Sequence, residues 1–139
     1  MSLQKIHKVF KVVQVANKRW FSTNTSVAMS SYLAQGEIHA EFLASHDIVE
    51  YKLGHVTYPL PHMKRIFLCH NMEEAQKVQQ YFSSSENPTI IVEGIGTNLR
   101  KVFARVDYIK NKEKRSFYPP SSSFITSSVD WFLPQKIVK

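Results

Sequence analysis

The chain has a single cysteine, only four glycines and no long apolar run. A lone Cys69 excludes an internal disulfide framework and cannot by itself build a structural zinc site. No stretch approaches the ~20 consecutive apolar residues needed to span a bilayer, so no membrane partner is expected. His39, His46, His55, His62 and His70 are scattered without metal-ligand spacing, and no metal site is expected. Cys69 and His70 are neighbours on an expected strand, so their side chains point to opposite faces and cannot act as a nucleophile–base pair. Gly94-Ile95-Gly96 leads into a strand and not a helix, which removes a phosphate-cradle reading. The serine-rich stretches carry no nucleophile-elbow pattern. No catalytic constellation and no cofactor is expected, and the chain does not read as an enzyme.

Acid is missing from the first 21 residues, which carry Lys5, Lys8, Lys11, Lys18 and Arg19. Ile6, Val9, Phe10 and Val13 fall on one side of a possible helix there, as in a mitochondrial targeting segment. Arg19-Trp20-Phe21-Ser22 is similar to a two-step processing pattern, which places a mature start near Ser22. A retained basic arm is the alternative. The whole chain of 139 residues has a formal charge of +7. Without the first segment, the rest carries 13 Lys/Arg against 11 Asp/Glu, too little to predict a polyanion partner from charge alone.

A hydrophobic fraction of 43% supports one globular core. From Tyr32 to Phe42 the residues alternate, predicting a long first strand with Gly36 as its bending point. Val49, Tyr51 and Leu53 predict a second strand, and Lys64 to His70 a third. Asn71 and Glu74 mark a helix start, with Ala75, Val78 and Phe82 on one face. Thr89 to Glu93 predicts a fourth strand, Gly94 to Asn98 a turn, and Leu99 to Ile109 a fifth strand. Three strands, a helix and two strands outline an all-β, five-stranded OB-fold barrel over residues 22–110, with one short helix between strands three and four. An antiparallel α+β sandwich fits the same periodicity. Residues 111–139 predict an extended or disordered tail with apolar islands at Phe124-Ile125 and Val129 to Pro134, docked on its own domain or on a protein partner.

Residues 29–110 resemble the mitochondrial and bacterial single-stranded-DNA-binding proteins, especially the divergent fungal mitochondrial branch. Ser31 to Ile38 stands where that family has its opening strand with a glycine. Ile48 to Val56 is similar to its second strand, and Met63 to Phe82 to its third strand and short helix. Thr89-Ile90-Ile91-Val92-Glu93-Gly94 resembles its Val-Glu-Gly strand. The chain departs from the family in lacking a Trp in the third strand, where Lys64 or Arg65 stands, and in the short link Ile95 to Asn98. The resemblance implies a homo-oligomer, tetramer or dimer, that coats single-stranded DNA, or RNA, in mitochondrial genome maintenance. An SSB-like OB fold recruited as a structural or RNA-binding component of a mitochondrial assembly such as the ribosome is the alternative.

Single-strand binding needs aromatic faces for bases and cations for phosphates. Lys101, Phe103 and Arg105 share one face of the expected last strand. Lys52, Lys64 and Arg65 extend the positive charge, and Phe67 and Tyr58 are further stacking candidates. The competing reading packs Phe103 under the tail or at a subunit interface.

Overall fold

The computed structural model describes residues 5–23, 27–82, 87–103 and 125–139. Among them the elements run β1 (Ile6–Ala16), β2 (Arg19–Ser22), α1 (Val27–Ala34), α2 (Ala40–Ser45), β3 (Glu50–Tyr51), β4 (Ile66–Leu68), α3 (Met72–Tyr81), β5 (Thr89–Thr97), β6 (Arg100–Phe103), β7 (Ile125–Val129) and β8 (Phe132–Ile137). The chain is mostly β. A five-stranded antiparallel sheet has the order β3-β2-β1-β5-β8, and a three-stranded sheet the order β4-β7-β6.

The basic first segment is therefore not a separable helix. It supplies the middle strand of the larger sheet, paired with β5 from Ile6↔Thr97 to Gln14↔Thr89. Its valines are β-branched and fall on both faces, Val9 and Val13 on one and Val12 on the other, which suits a strand covered on two sides better than a helix. Asn17 and Lys18, at φ 51 and 64, make the left-handed two-residue turn that a tight hairpin requires. Asn17 Nδ2 also donates to the carbonyls of Leu33 (3.1 Å) and Ala34 (2.6 Å), closing the end of α1. Cleavage near Ser22 would delete β1 and β2. Trp20, expected to leave with that segment, instead packs against the core beside Tyr51.

Alternate residues of β1 face two different cores. Val9 and Val13 join Tyr51, Ile66, Leu68, Val92, Val129 and Phe132 between the two sheets. Val12 meets Cys69, Ala75, Val78, Phe82 and Ile91 under α3, while Ala16 and Phe21 meet Met29, Leu33, Leu43 and Ile48 under α1 and α2. The molecule is thus helices, sheet and second sheet in three layers. Buried Gln14 is fully engaged, donating to the Ser22 carbonyl at 2.9 Å and accepting from Asn87 at 2.9 Å.

The long first strand expected over 32–42 is two helices instead. Met29 and Leu33, four apart, are buried together, and the rings of Tyr32 and Phe42 meet at 4.0 Å across the α1–α2 link. Gly36 lies in that link, at φ 88. The second strand shrinks to two residues, and the third to three. α3 is where the sequence puts it: the Asn71 side chain accepts from the Glu74 backbone N–H at 2.9 Å, while Glu74 accepts from the His70 N–H at 3.1 Å. Asn71→Ala is expected to cost about 1 kcal/mol in urea denaturation, a normal cap loss.

β5 continues straight through Gly94-Ile95-Gly96, where a turn was expected. A Cβ on Gly94 would overlap the Leu133 carbonyl oxygen and sit 2.6 Å from Phe132 Cε1; on Gly96 it would sit 2.6 Å from the Trp131 carbonyl oxygen. The bare backbone lets β8 lie close across β5. The turn falls instead at Asn98, φ 56, and the returning strand is described as far as Phe103.

The larger sheet does not close into a barrel. Among the described residues no ladder joins its outer strands; the segment after β3 meets β8 through an isolated bridge, Thr57 to Phe132, with N···O distances of 2.7 and 3.0 Å, and through the Gly54 N–H to the Pro134 carbonyl. Of the extended or disordered tail expected over 111–139, residues 125–139 supply β7 and β8 to the two sheets, with Phe132 wholly buried, while 111–124 lie outside the described residues. No helix among the described residues is long and apolar enough to cross a membrane.

Candidate nucleic-acid interface

The smaller sheet presents one face to the core and one outward. Ile66, Leu68 and Val129 point inward. Alternation and register place Arg65, Phe67, Ser128 and Arg100 on the other face, with Phe67, Ser128 and Arg100 in line across the three strands and Ser128 itself wholly buried.

Arg65 is the hub of that face. Its Nε donates to Ser128 Oγ and its Nη1 to Asp130 Oδ1, both at 2.7 Å. Nη2 donates to the Ser128 carbonyl at 2.9 Å and to the Asn98 carbonyl. Asn98 Nδ2 in turn reaches Asp130 Oδ1 at 3.3 Å. One guanidinium therefore ties the entry of β4 to β7 and to the β5–β6 turn, a use of the planar donor fork that lysine cannot copy. Burial holds Arg65 below its ordinary pKa; Asp130 opposes that shift and Arg100 adds to it by repulsion. Arg100 is exposed and has no ion pair among the described residues. With Arg65 paired to Asp130, Arg100 is the guanidinium on this face that is left to meet an anion.

The residues singled out from sequence are only partly brought together. Arg65 and Phe67 share the outer face, Phe67 half-buried, and exposed Lys64 precedes them at φ 64. Lys101 is exposed and directly follows Arg100 on β6, so by alternation it points to the other side of the strand from Arg100. Of the expected Lys101–Phe103–Arg105 stripe, the structure describes the side chain of Lys101 alone, which does not share the face of Arg65 and Phe67. Phe103 is described through its backbone only, and Arg105 lies outside the described residues. Lys52 sits in the turn after β3, in the other sheet's half of the molecule. Arg100, missed in sequence, had one signal: it falls two residues after the real turn residue Asn98.

The charge balance also changes. Lys8, Lys11, Lys18 and Arg19 lie in the β1–β2 hairpin, so their charge belongs to the sheet. Several of these cations are spoken for: Arg19 grips Glu50 with two bonds of 2.6 and 2.7 Å, and Lys8 and Lys136 flank Glu93 at 3.5 Å. Among the described residues no group of three or more His, Cys, Asp or Glu side chains is placed to hold a metal ion. No protein-family model, no curated protein and no solved structure matches the chain.

Proposed function

We propose that this protein binds single-stranded nucleic acid on the outer face of the β4–β7–β6 sheet. The observation that carries the reading is Arg100, without an ion pair among the described residues and in register with Phe67 across Ser128, on the face that Arg65 holds together. Arg100 contacts phosphate, Arg65 holds the platform in place, and Phe67 stacks on a base. The retained N-terminal cations add to the positive field that draws in a polyanion. The role is that of a binding protein in mitochondrial genome maintenance, with the basic N-terminal segment kept in the mature fold. Such a face, repeated in a homo-oligomer, would track a strand across copies.

The test is fluorescence anisotropy of the full chain with a labelled oligothymidine at two salt concentrations. Arg100→Glu is expected to weaken binding by about tenfold and to lower the salt slope by about 0.7. Phe67→Ala is expected to cost about 1–3 kcal/mol of binding while the protein stays folded, checked by its melting temperature. Wild-type protein that shows no affinity at low salt would sink the proposal.

One observation favours a second reading. Arg65 spends its donors inside the protein, and Asp130 neutralises it at 2.7 Å. A fixed contact to RNA within a mitochondrial assembly such as the ribosome needs less free cation than a coat on single-stranded DNA. Co-sedimentation with ribosomal subunits, without affinity for free oligonucleotides, would favour it.

A further inference from the structure

A cleft of about 380 Å³ opens between α2 and the chain that follows β3, away from the Arg65–Arg100 face. Its floor is apolar: Leu43, Ile48 and Val49 are buried, and Ala40 and Ala44 leave room above them. Its outer wall includes His55, Val56, Tyr58 and Leu60. Val56 and Tyr58 are unusually open for large apolar side chains, at 44% and 69% exposure, and Leu53 beside them is at 51%. A wall this apolar and this exposed has chemistry to offer a ligand.

The wall is also held in place. Thr57 bridges to Phe132, and the Gly54 N–H donates to the Pro134 carbonyl at 2.8 Å. At the far end of the loop, His62 Nε2 meets Asp47 Oδ1 at 2.5 Å, fastening the proline segment to the end of α2. The cleft is thus formed before any ligand arrives, which lowers the ordering cost of binding.

Charge selects the occupant. Glu50 lines the cleft, but Arg19 neutralises it through two bonds. Lys52 also lines the cleft and has no ion pair among the described residues. His55 flanks it across a turn in which the His55 N–H donates to the Lys52 carbonyl at 3.1 Å. An apolar floor with one uncompensated cation at its mouth matches a molecule with an apolar body and one negative group. We propose that the cleft binds a small amphipathic carboxylate, its apolar body over Leu43, Ile48 and Val49 and its carboxylate on Lys52 and His55.

Octanoate and octanol, which share a tail and differ in the carboxylate, are the probes. Each is titrated into the full chain and followed by backbone amide NMR. Octanoate is expected to give saturable shifts within residues 40–60, with octanol at least about tenfold weaker. Lys52→Glu, an exposed change that leaves the core intact, is expected to weaken octanoate by about tenfold and octanol little. Ala44→Trp, which fills the cleft, is expected to remove both. Equal binding of the two probes, an unchanged octanoate affinity in Lys52→Glu, or shifts centred outside 40–60 would overturn the proposal.

Discussion

Gly94→Ala is expected to lower unfolding free energy by about 3 kcal/mol or more, read from the urea midpoint at constant slope. The cost is steric, not conformational, because Gly94 is not at positive φ and alanine could adopt its backbone. The new methyl would press on the Leu133 backbone and on the Phe132 ring, 2.6 Å away. A flexible side-chain end could yield, but a strand backbone cannot without moving β8. Phe132 is wholly buried in the core between the sheets, so moving β8 withdraws its packing as well. Complete loss of a core Phe side chain costs about 3–5 kcal/mol, which sets the scale. Gly54→Ala is the control. There φ is 78 and nothing lies within 4 Å, so only backbone strain of about 1 kcal/mol is expected. A near-neutral Gly94→Ala would mean that β8 does not lie against β5 as described.

The second large effect runs in the opposite direction. Lys11 points between the sheets with Val9 and Val13, its Nζ donating to the Phe67 carbonyl at 2.7 Å and standing 5.8 Å from the centroid of the Tyr51 ring. Burial pulls its pKa from 10.5 down to about 8, against a smaller opposing effect of Cys69. That depression corresponds to at most ~3 kcal/mol, and the residue's remaining exposure reduces the expectation to about 1–2 kcal/mol. Lys11→Met, which keeps the length and removes the charge, is expected to stabilise the fold by that amount at pH 7.

The pH dependence supplies the check. Below pH 8 both folded and unfolded chains carry the Lys11 proton, and the penalty is full. Between about 8 and 10.5 the unfolded chain holds more of that proton than the folded one, so this contribution to stability rises with pH. Cys69 acts oppositely: burial pushes its thiol from 9.0 up to about 12, and stability is lost as the unfolded thiol ionises from pH 9 upward. Burial also raises the Tyr51 phenol above its ordinary 10.0, adding to that loss at higher pH. The readout is therefore the difference between wild type and Lys11→Met. It is expected to be largest below pH 8 and to shrink towards pH 10.5. A constant difference across that range would show that Lys11 is not desolvated.

What could be read from sequence was local. The α3 helix was legible because its cap, its acidic first turn and its apolar spacing all agree within twelve residues. The stretch from Thr89 to Glu93 was legible because its first four residues are an unbroken β-branched run. At Gly94 reading failed, since a glycine pair signals a turn unless one knows that another strand passes overhead. Over 29–42 two periods coexist. The even positions alternate like a strand, yet Met29 and Leu33 keep the four-residue helical spacing, and the core under β2 selected the second. The first segment misled for a related reason. Its lysines looked like the polar side of a helix, while Lys11 is an inward residue on a central strand. At the site, Arg65 and Phe67 were nameable, but their alignment with Arg100 depends on register across Ser128, which no single stretch contains.

The pairing of β1 with β5 has a bearing on synthesis. Val13 meets Ile90, so the first hairpin is complete long before its main partner exists. At ~5–20 residues per second, translation leaves that interval at about 4–15 s. Throughout it, one edge of β1 offers unpaired amides and carbonyls and exposed valines, the surface that holdase chaperones recognise and that sticky encounters exploit. Sheltering the opening strand while the ribosome is still working towards residue 90 is therefore expected to raise the cellular yield of this protein.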